Sequence, residues 1–165
     1  MATVYLGLGT NLGNREQNLH FAVEQIQKRI GDVITLSAFY MTEPWGFQST
    51  NSFLNAACAV QTNYTPEELL LVTQSIEKQI GRKEKSINRI YSDRLIDIDI
   101  LLYDEVIVNS KELVIPHPLM EQRRFVLEPL VEIAPDVIHP ILKEPIRTLF
   151  SEKEILLESY HHALS

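Results

Sequence analysis

Four short apolar runs bounded by turn residues read as β-strands: TVYLGLG (3–9), VITLSAFYMT (33–42), FLNAACAVQT (53–62) and LIDIDILLYD (95–104). Between the first two, Leu19, Ala22, Val23, Ile26 and Ile30 recur at helical spacing. Asn14 is placed to cap that helix at Arg15, and Gly31 to stop it. A second helix is punctuated by Thr65 at the N-cap, Pro66 at the first helical position and Glu68 two residues on, which completes a capping box. Leu69, Val72, Ile76 and Ile80 form its apolar stripe, and Gly81 is read as its end. The order βαββαβ predicts an α+β fold, a ferredoxin-like antiparallel sheet with helices packed on one face. C-terminal additions follow: a short strand near 106–108, the Pro-punctuated VIPHPLM, a helical RRFVLEPLVEIAP and a terminal helix after about 150. One domain over 1–165 is expected.

Composition changes this picture little. The chain is 45% hydrophobic and 22% charged, as ordinary globular proteins are. Its net charge of −7 argues against a general nucleic-acid binder. Cys58, the only cysteine, lies in the apolar NAACAV and reads as a buried, inert thiol. No apolar stretch approaches the ~20 residues of a membrane span, and the N-terminus lacks a basic leader. A cytoplasmic protein is expected.

The fourth strand carries the candidate chemistry. Asp97 and Asp99 share one face while Ile96, Ile98 and Ile100 share the other, and Leu101 and Tyr103 should continue the aspartate face. At ~7 Å and an effective dielectric near 20, two carboxylates repel by about 2 kcal/mol. A partly covered pair therefore needs a cation, and oxygen-only ligands suit Mg²⁺. Spacing alone leaves a solvent-facing strand equally open. The segment ahead, 82–94, bears Arg82, Lys83, Lys85, Arg89 and Arg94 against Glu84 and Asp93, a net of +3. Basic side chains beside a carboxylate pair are what a polyphosphate with Mg²⁺ requires. G-x-x-x-x-G-K-[ST] is absent, and GLGTNLG has Leu12 where G-x-G-x-x-G needs its third glycine. Gly7 and Gly9 are therefore read as serving strand-to-helix geometry.

Taken together, YLGLGTNLGNRE, FYMTEPWGFQSTNSFLNAA, DRLIDIDILLYD and IPHPLMEQRRFVLEPLVEIAPD resemble 6-hydroxymethyl-7,8-dihydropterin pyrophosphokinase of the folate pathway, in order from about residue 3 to 140. The resemblance implies transfer of pyrophosphate from ATP to the pterin hydroxymethyl group with release of AMP. It implies two Mg²⁺ ions on Asp97 and Asp99, and Arg82 and Arg94 as catalytic arginines. Gln74, Glu77, Arg89, Tyr91, Ile100, His117 and Arg123 match the ATP site. Thr42, Pro44, Trp45, Phe53, Asn55 and Phe125 match the pterin site, where a flat heterocycle needs aromatic faces and a polar edge partner. Ser92–Asp93 depart from the small residue and Pro, Ser or Ala usual before the matched arginine. Polar loops 44–51 and 82–94 are candidate lids. No nucleic acid or membrane partner is implied, and the family often functions as a monomer. The rival readings are a non-catalytic ferredoxin-like ligand-binding module and a metal-dependent nucleotidyltransferase.

Overall fold

A computed structural model describes residues 1–42, 52–82 and 95–153. Asn14 caps α1 (Arg15–Arg29), its side-chain oxygen accepting from the Gln17 amide at 3.1 Å. Such a cap contributes about 1 kcal/mol. At α2 (Pro66–Arg82) the capping box closes in both directions. The Glu68 amide donates to Thr65 Oγ1 at 3.2 Å, and the Thr65 amide donates to Glu68 Oε1 at 2.9 Å.

The strands are β1 (Ala2–Thr10), β2 (Gly31–Leu36), β3 (Tyr40–Thr42), β4 (Phe53–Thr62) and β5 (Asp97–Tyr103). They order as β2-β4-β1-β5, every pair antiparallel, with β3 paired to β4 beyond β2. This is the expected βαββαβ arrangement. A hairpin of β6 (Val108–Asn109) and β7 (Val114–Ile115) follows, then a 3₁₀ turn at Met120–Gln122, α3 (Arg124–Ile133) and a helix over 146–153. Among the described residues no helix is long and apolar enough to cross a membrane.

The two helices of the βαββαβ unit pack on one face of the sheet, as expected, and the C-terminal addition α3 takes the other. α1 and α2 bury Leu19, Ile26, Leu69 and Ile76 against Val4, Leu6, Ile98 and Ile100 of the sheet. α3 covers the opposite face, where Leu127 and Leu130 join Ala57, Leu101, Leu102 and Ile146 in a second core. Alternation along β4 made this possible, since Ala57 turns away from the first core while Ala56 and Cys58 turn into it. Cys58 is fully buried, which pushes its thiol up to about 12.

Four local expectations need correction. Residues 33–42 form two strands rather than one. Ser37 replaces the ladder at the break, its amide donating to Ala57 O and its hydroxyl accepting from the Ala57 amide, both at 2.9 Å. Gly31 does not stop α1, whose C-cap is Ile30; it opens β2. A Cβ there would lie 1.8 Å from the Gln61 carbonyl oxygen, so close strand approach is what demands glycine. Gly81 lies inside α2, not after it. Finally, the β1–β5 register slips between Tyr5 and Leu6, which leaves Leu101 as an extra, bulged residue. Leu101 keeps to the aspartate side, but Leu102 follows it into the second core and Tyr103 packs on the first.

Gly31→Ala is expected to destabilise the protein by about 1–3 kcal/mol, the usual cost of overpacking. Equilibrium urea unfolding checks it, and a midpoint equal to wild type would show that β2 and β4 can part without penalty.

Candidate active site

Asp97 and Asp99 project from β5 on the face opposite α1 and α2, and both are half-buried. Across β1, Asp97 pairs with Gly9 and Asp99 with Gly7. On the next strand Gly9 pairs with Asn55 and Gly7 with Ala57. On β3, Tyr40 pairs with Asn55 and Thr42 with Phe53. One row therefore runs Tyr40–Asn55–Gly9–Asp97 across four strands, with Phe53 and Thr42 one step along. Gly7 and Gly9 thus sit within β1, not at a strand-to-helix turn as expected. Lacking side chains, they form the floor of a trough between the carboxylates and Asn55. A Cβ on Gly9 would come within 3.0 Å of Asn55 Oδ1, and one on Gly7 within 3.3 Å of the Leu101 side chain.

Asn55 is 5% exposed and its amide nitrogen donates to Thr42 Oγ1 at 3.1 Å. That bond turns its oxygen toward Gly9 and the trough. Glu77 reaches from α2 to the edge of β5 and accepts from the Ile98 amide at 2.8 Å. Burial pushes its carboxyl up to about 7; the Ile98 bond opposes this, and the charges of Asp97 and Asp99 reinforce it. Three carboxyl groups thus crowd one strand edge, a surplus of negative charge that a cation would relieve. The donor set fits Mg²⁺ of the kind held by two carboxylates, waters and phosphates. Among the described residues no group of three or more His, Cys, Asp or Glu forms a complete metal cage.

His117 is carried to this site by β7 and the cis Ile115–Pro116 peptide. Its amide donates to Leu101 O at 3.0 Å, and its Nε2 lies 3.8 Å from Asp99 Oδ1. Arg123 and Phe125 stand together at the start of α3, the guanidinium carbon 6.0 Å from the ring centroid. Phe125 is 43% exposed.

Other expected residues stand apart. Ile100 is buried in the first core, which leaves only its main chain for any nucleotide contact. Gln74 is exposed and lines a separate cleft of about 460 Å³ with Arg29 and Lys78, on the outer side of α1 and α2. Arg82 is the last residue of α2. Pro44, Trp45, Arg89, Tyr91 and Arg94, with the departure at Ser92–Asp93 and both candidate lids, lie outside the described residues. Sequence reasoning missed the trough glycines, although Gly at positions two apart in a strand beside a carboxylate strand was the available signal.

Residues 5–135 match the family model 7,8-dihydro-6-hydroxymethylpterin-pyrophosphokinase (HPPK). The chain belongs to this family. A 2-amino-4-hydroxy-6-hydroxymethyldihydropteridine pyrophosphokinase of Porphyromonas gingivalis is 50% identical over 88% of this chain and 99% of that protein. The enzyme of the same name from Aquifex aeolicus is 41% identical over 94% of each. In fold, the chain is similar to Plasmodium falciparum HPPK-DHPS with pteroate, with a TM-score of 0.77 at 17% identity. That likeness covers 97% of this chain, which spans only 44% of the solved one.

With divalent cations removed by a chelator, the carboxylate cluster should make stability depend on pH through Glu77. A carboxyl raised from 4.5 to about 7 favours the fold most at low pH, and that contribution is lost as pH rises through about 7. Wild type should therefore lose stability relative to Glu77→Gln between about pH 4.5 and 7 in chelator. Thermal unfolding across that range checks it, and a constant gap between the two proteins would refute it.

Proposed function

We propose that this protein transfers the pyrophosphoryl group of ATP to the hydroxymethyl oxygen of 6-hydroxymethyl-7,8-dihydropterin, releasing AMP, as a cytoplasmic Mg²⁺-dependent step of folate biosynthesis. The observation that carries the reading is the single row joining Asn55, the glycine floor and Asp97. It gives one trough a heterocycle end and a cation–phosphate end. The names of the relatives supply the reaction, and family membership brings it to this chain.

The pterin stacks between Phe53 and Phe125, and Asn55, oriented by Thr42, meets its polar edge. Pro44 and Trp45 complete its rim. Asp97 and Asp99 hold two Mg²⁺ ions, which when bound screen the charge that builds on the transferred phosphoryl groups. His117 and Arg123 bind the triphosphate from the α3 side, while Gln74, Glu77, Arg89, Tyr91 and the main chain of Ile100 complete the nucleotide site. Arg82 and Arg94 clamp the transferred group. The pterin oxygen attacks the β-phosphorus, the bond from that phosphorus to the α–β bridging oxygen breaks, and AMP leaves with the bridging oxygen. The hydroxyl proton passes to solvent. Positioning and fixed charge do most of the work, as in phosphoryl transfer generally.

Asp97→Ala and Asp99→Ala should lower turnover by orders of magnitude with folding kept. One assay with ATP, Mg²⁺ and the hydroxymethyl-dihydropterin, its products separated by chromatography, tests the reading. AMP and a pterin diphosphate are expected. Pyrophosphate with a nucleotidyl-pterin would identify a nucleotidyltransferase, and ligand binding without ATP consumption would identify a non-catalytic module.

A further inference from the structure

Glu132 and Tyr40 belong to no part of the proposed chemistry, yet they join the two elements that form the pterin end of the trough. Glu132 stands at the last turn of α3, seven residues after Phe125. Seven residues are close to two helical turns, so both lie on one stripe of α3, about 10 Å apart along its axis. Tyr40 stands on β3, paired with Asn55, two residues before Thr42. The Tyr40 hydroxyl donates to Glu132 Oε1 at 2.5 Å. The Ala38 amide donates to both carboxylate oxygens, at 3.1 and 3.2 Å.

Ala38 lies in the break between β2 and β3, where Ser37 has taken over the bonding to Ala57. Its amide is therefore out of the β4 ladder, and one carboxylate of α3 serves it and the Tyr40 phenol together. The bond to Glu132 pushes the Tyr40 hydroxyl up to about 12, with the charge of Glu128 acting in the same sense. At ordinary pH the phenol stays protonated and can donate.

We propose that the Glu132–Tyr40–Ala38 cluster is a positioning device for the pterin, which sets the separation between the α3 wall bearing Phe125 and the β3–β4 wall bearing Thr42, Phe53 and Asn55. A stacked heterocycle needs its two faces at a fixed spacing, since dispersion falls off steeply with a gap of even 0.5–1 Å. The second core fixes the buried side of α3 through Leu127 and Leu130. It does not reach the exposed rim, where Glu132 hydrogen-bonds Ala38 and Tyr40 of the β2–β3 segment. Because these bonds lie at an exposed rim, their loss should cost the fold little and the site more.

The inference rests on the pterin reading above, and steady-state kinetics on the full chain separates the two. Tyr40→Phe and Glu132→Ala should raise KM for the hydroxymethyl-dihydropterin about 5- to 20-fold, at or below the low end of what a charged hydrogen bond is worth, because the cluster is exposed. KM for ATP should stay within about two-fold, and the unfolding temperature should barely move. Glu132→Gln keeps an acceptor oxygen and should recover most of the pterin affinity. Unchanged pterin KM in both loss variants would overturn the positioning role while leaving the pterin reading standing. A parallel rise in KM for ATP would also overturn it, as general loosening. Failure of the wild type to use the pterin at all would bring down both.

Discussion

The antiparallel register of three strands is the constraint on which everything else depends. Gly9 must face Asn55 on one side and Asp97 on the other, because the hydrogen-bond ladders on both sides of the central strand are committed to that alignment. A slip of one residue in β5 would turn Ile98 and Ile100 to the trough and drive both carboxylates into the first core. Burying two charges there would cost several kcal/mol apiece, so the core itself enforces the site. The bulge at Leu101 then begins just after the aspartates, where the strand is free to switch which core it feeds.

Two cores divide the labour. The one under α1 and α2 seals the side of the sheet that bears Ile98 and Ile100, which makes β5 a rigid carrier. The other, beneath α3, takes in Leu101, Leu102 and Ala57, the β4 partner of Gly7. The C-terminal additions thus bring Phe125, Arg123 and His117 to the same face as the carboxylates without filling the space between them. Glycine is the residue that keeps this space, and a methyl group at either position would already press on Asn55 or Leu101.

Much of this was legible in the chain. The helix starts at Asn14 and Thr65 were written in local chemistry, where a side chain bonds an amide three residues away. The Asp97–Asp99 pair was legible because period two fixes its face without knowledge of any partner strand. What escaped depends on contacts far apart in sequence. Gly31 looked like a helix stop, but Gln61 dictates it. Gly7 and Gly9 looked like turn residues, since only the β1–β4 and β1–β5 registers reveal what they face. The bulge, the second core and the Glu132–Tyr40 bond likewise join segments that no local pattern connects.

A crystal structure with a non-hydrolysable ATP analogue, the hydroxymethyl-dihydropterin and Mn²⁺ in place of Mg²⁺ tests this register most directly. Anomalous scattering should locate the cation on Asp97 and Asp99, over Gly7 and Gly9, with the pterin against Phe53 and Asn55 on the same face. A cation held by other residues, or a pterin seated in the outer cleft beside Gln74 and Arg29, would contradict it.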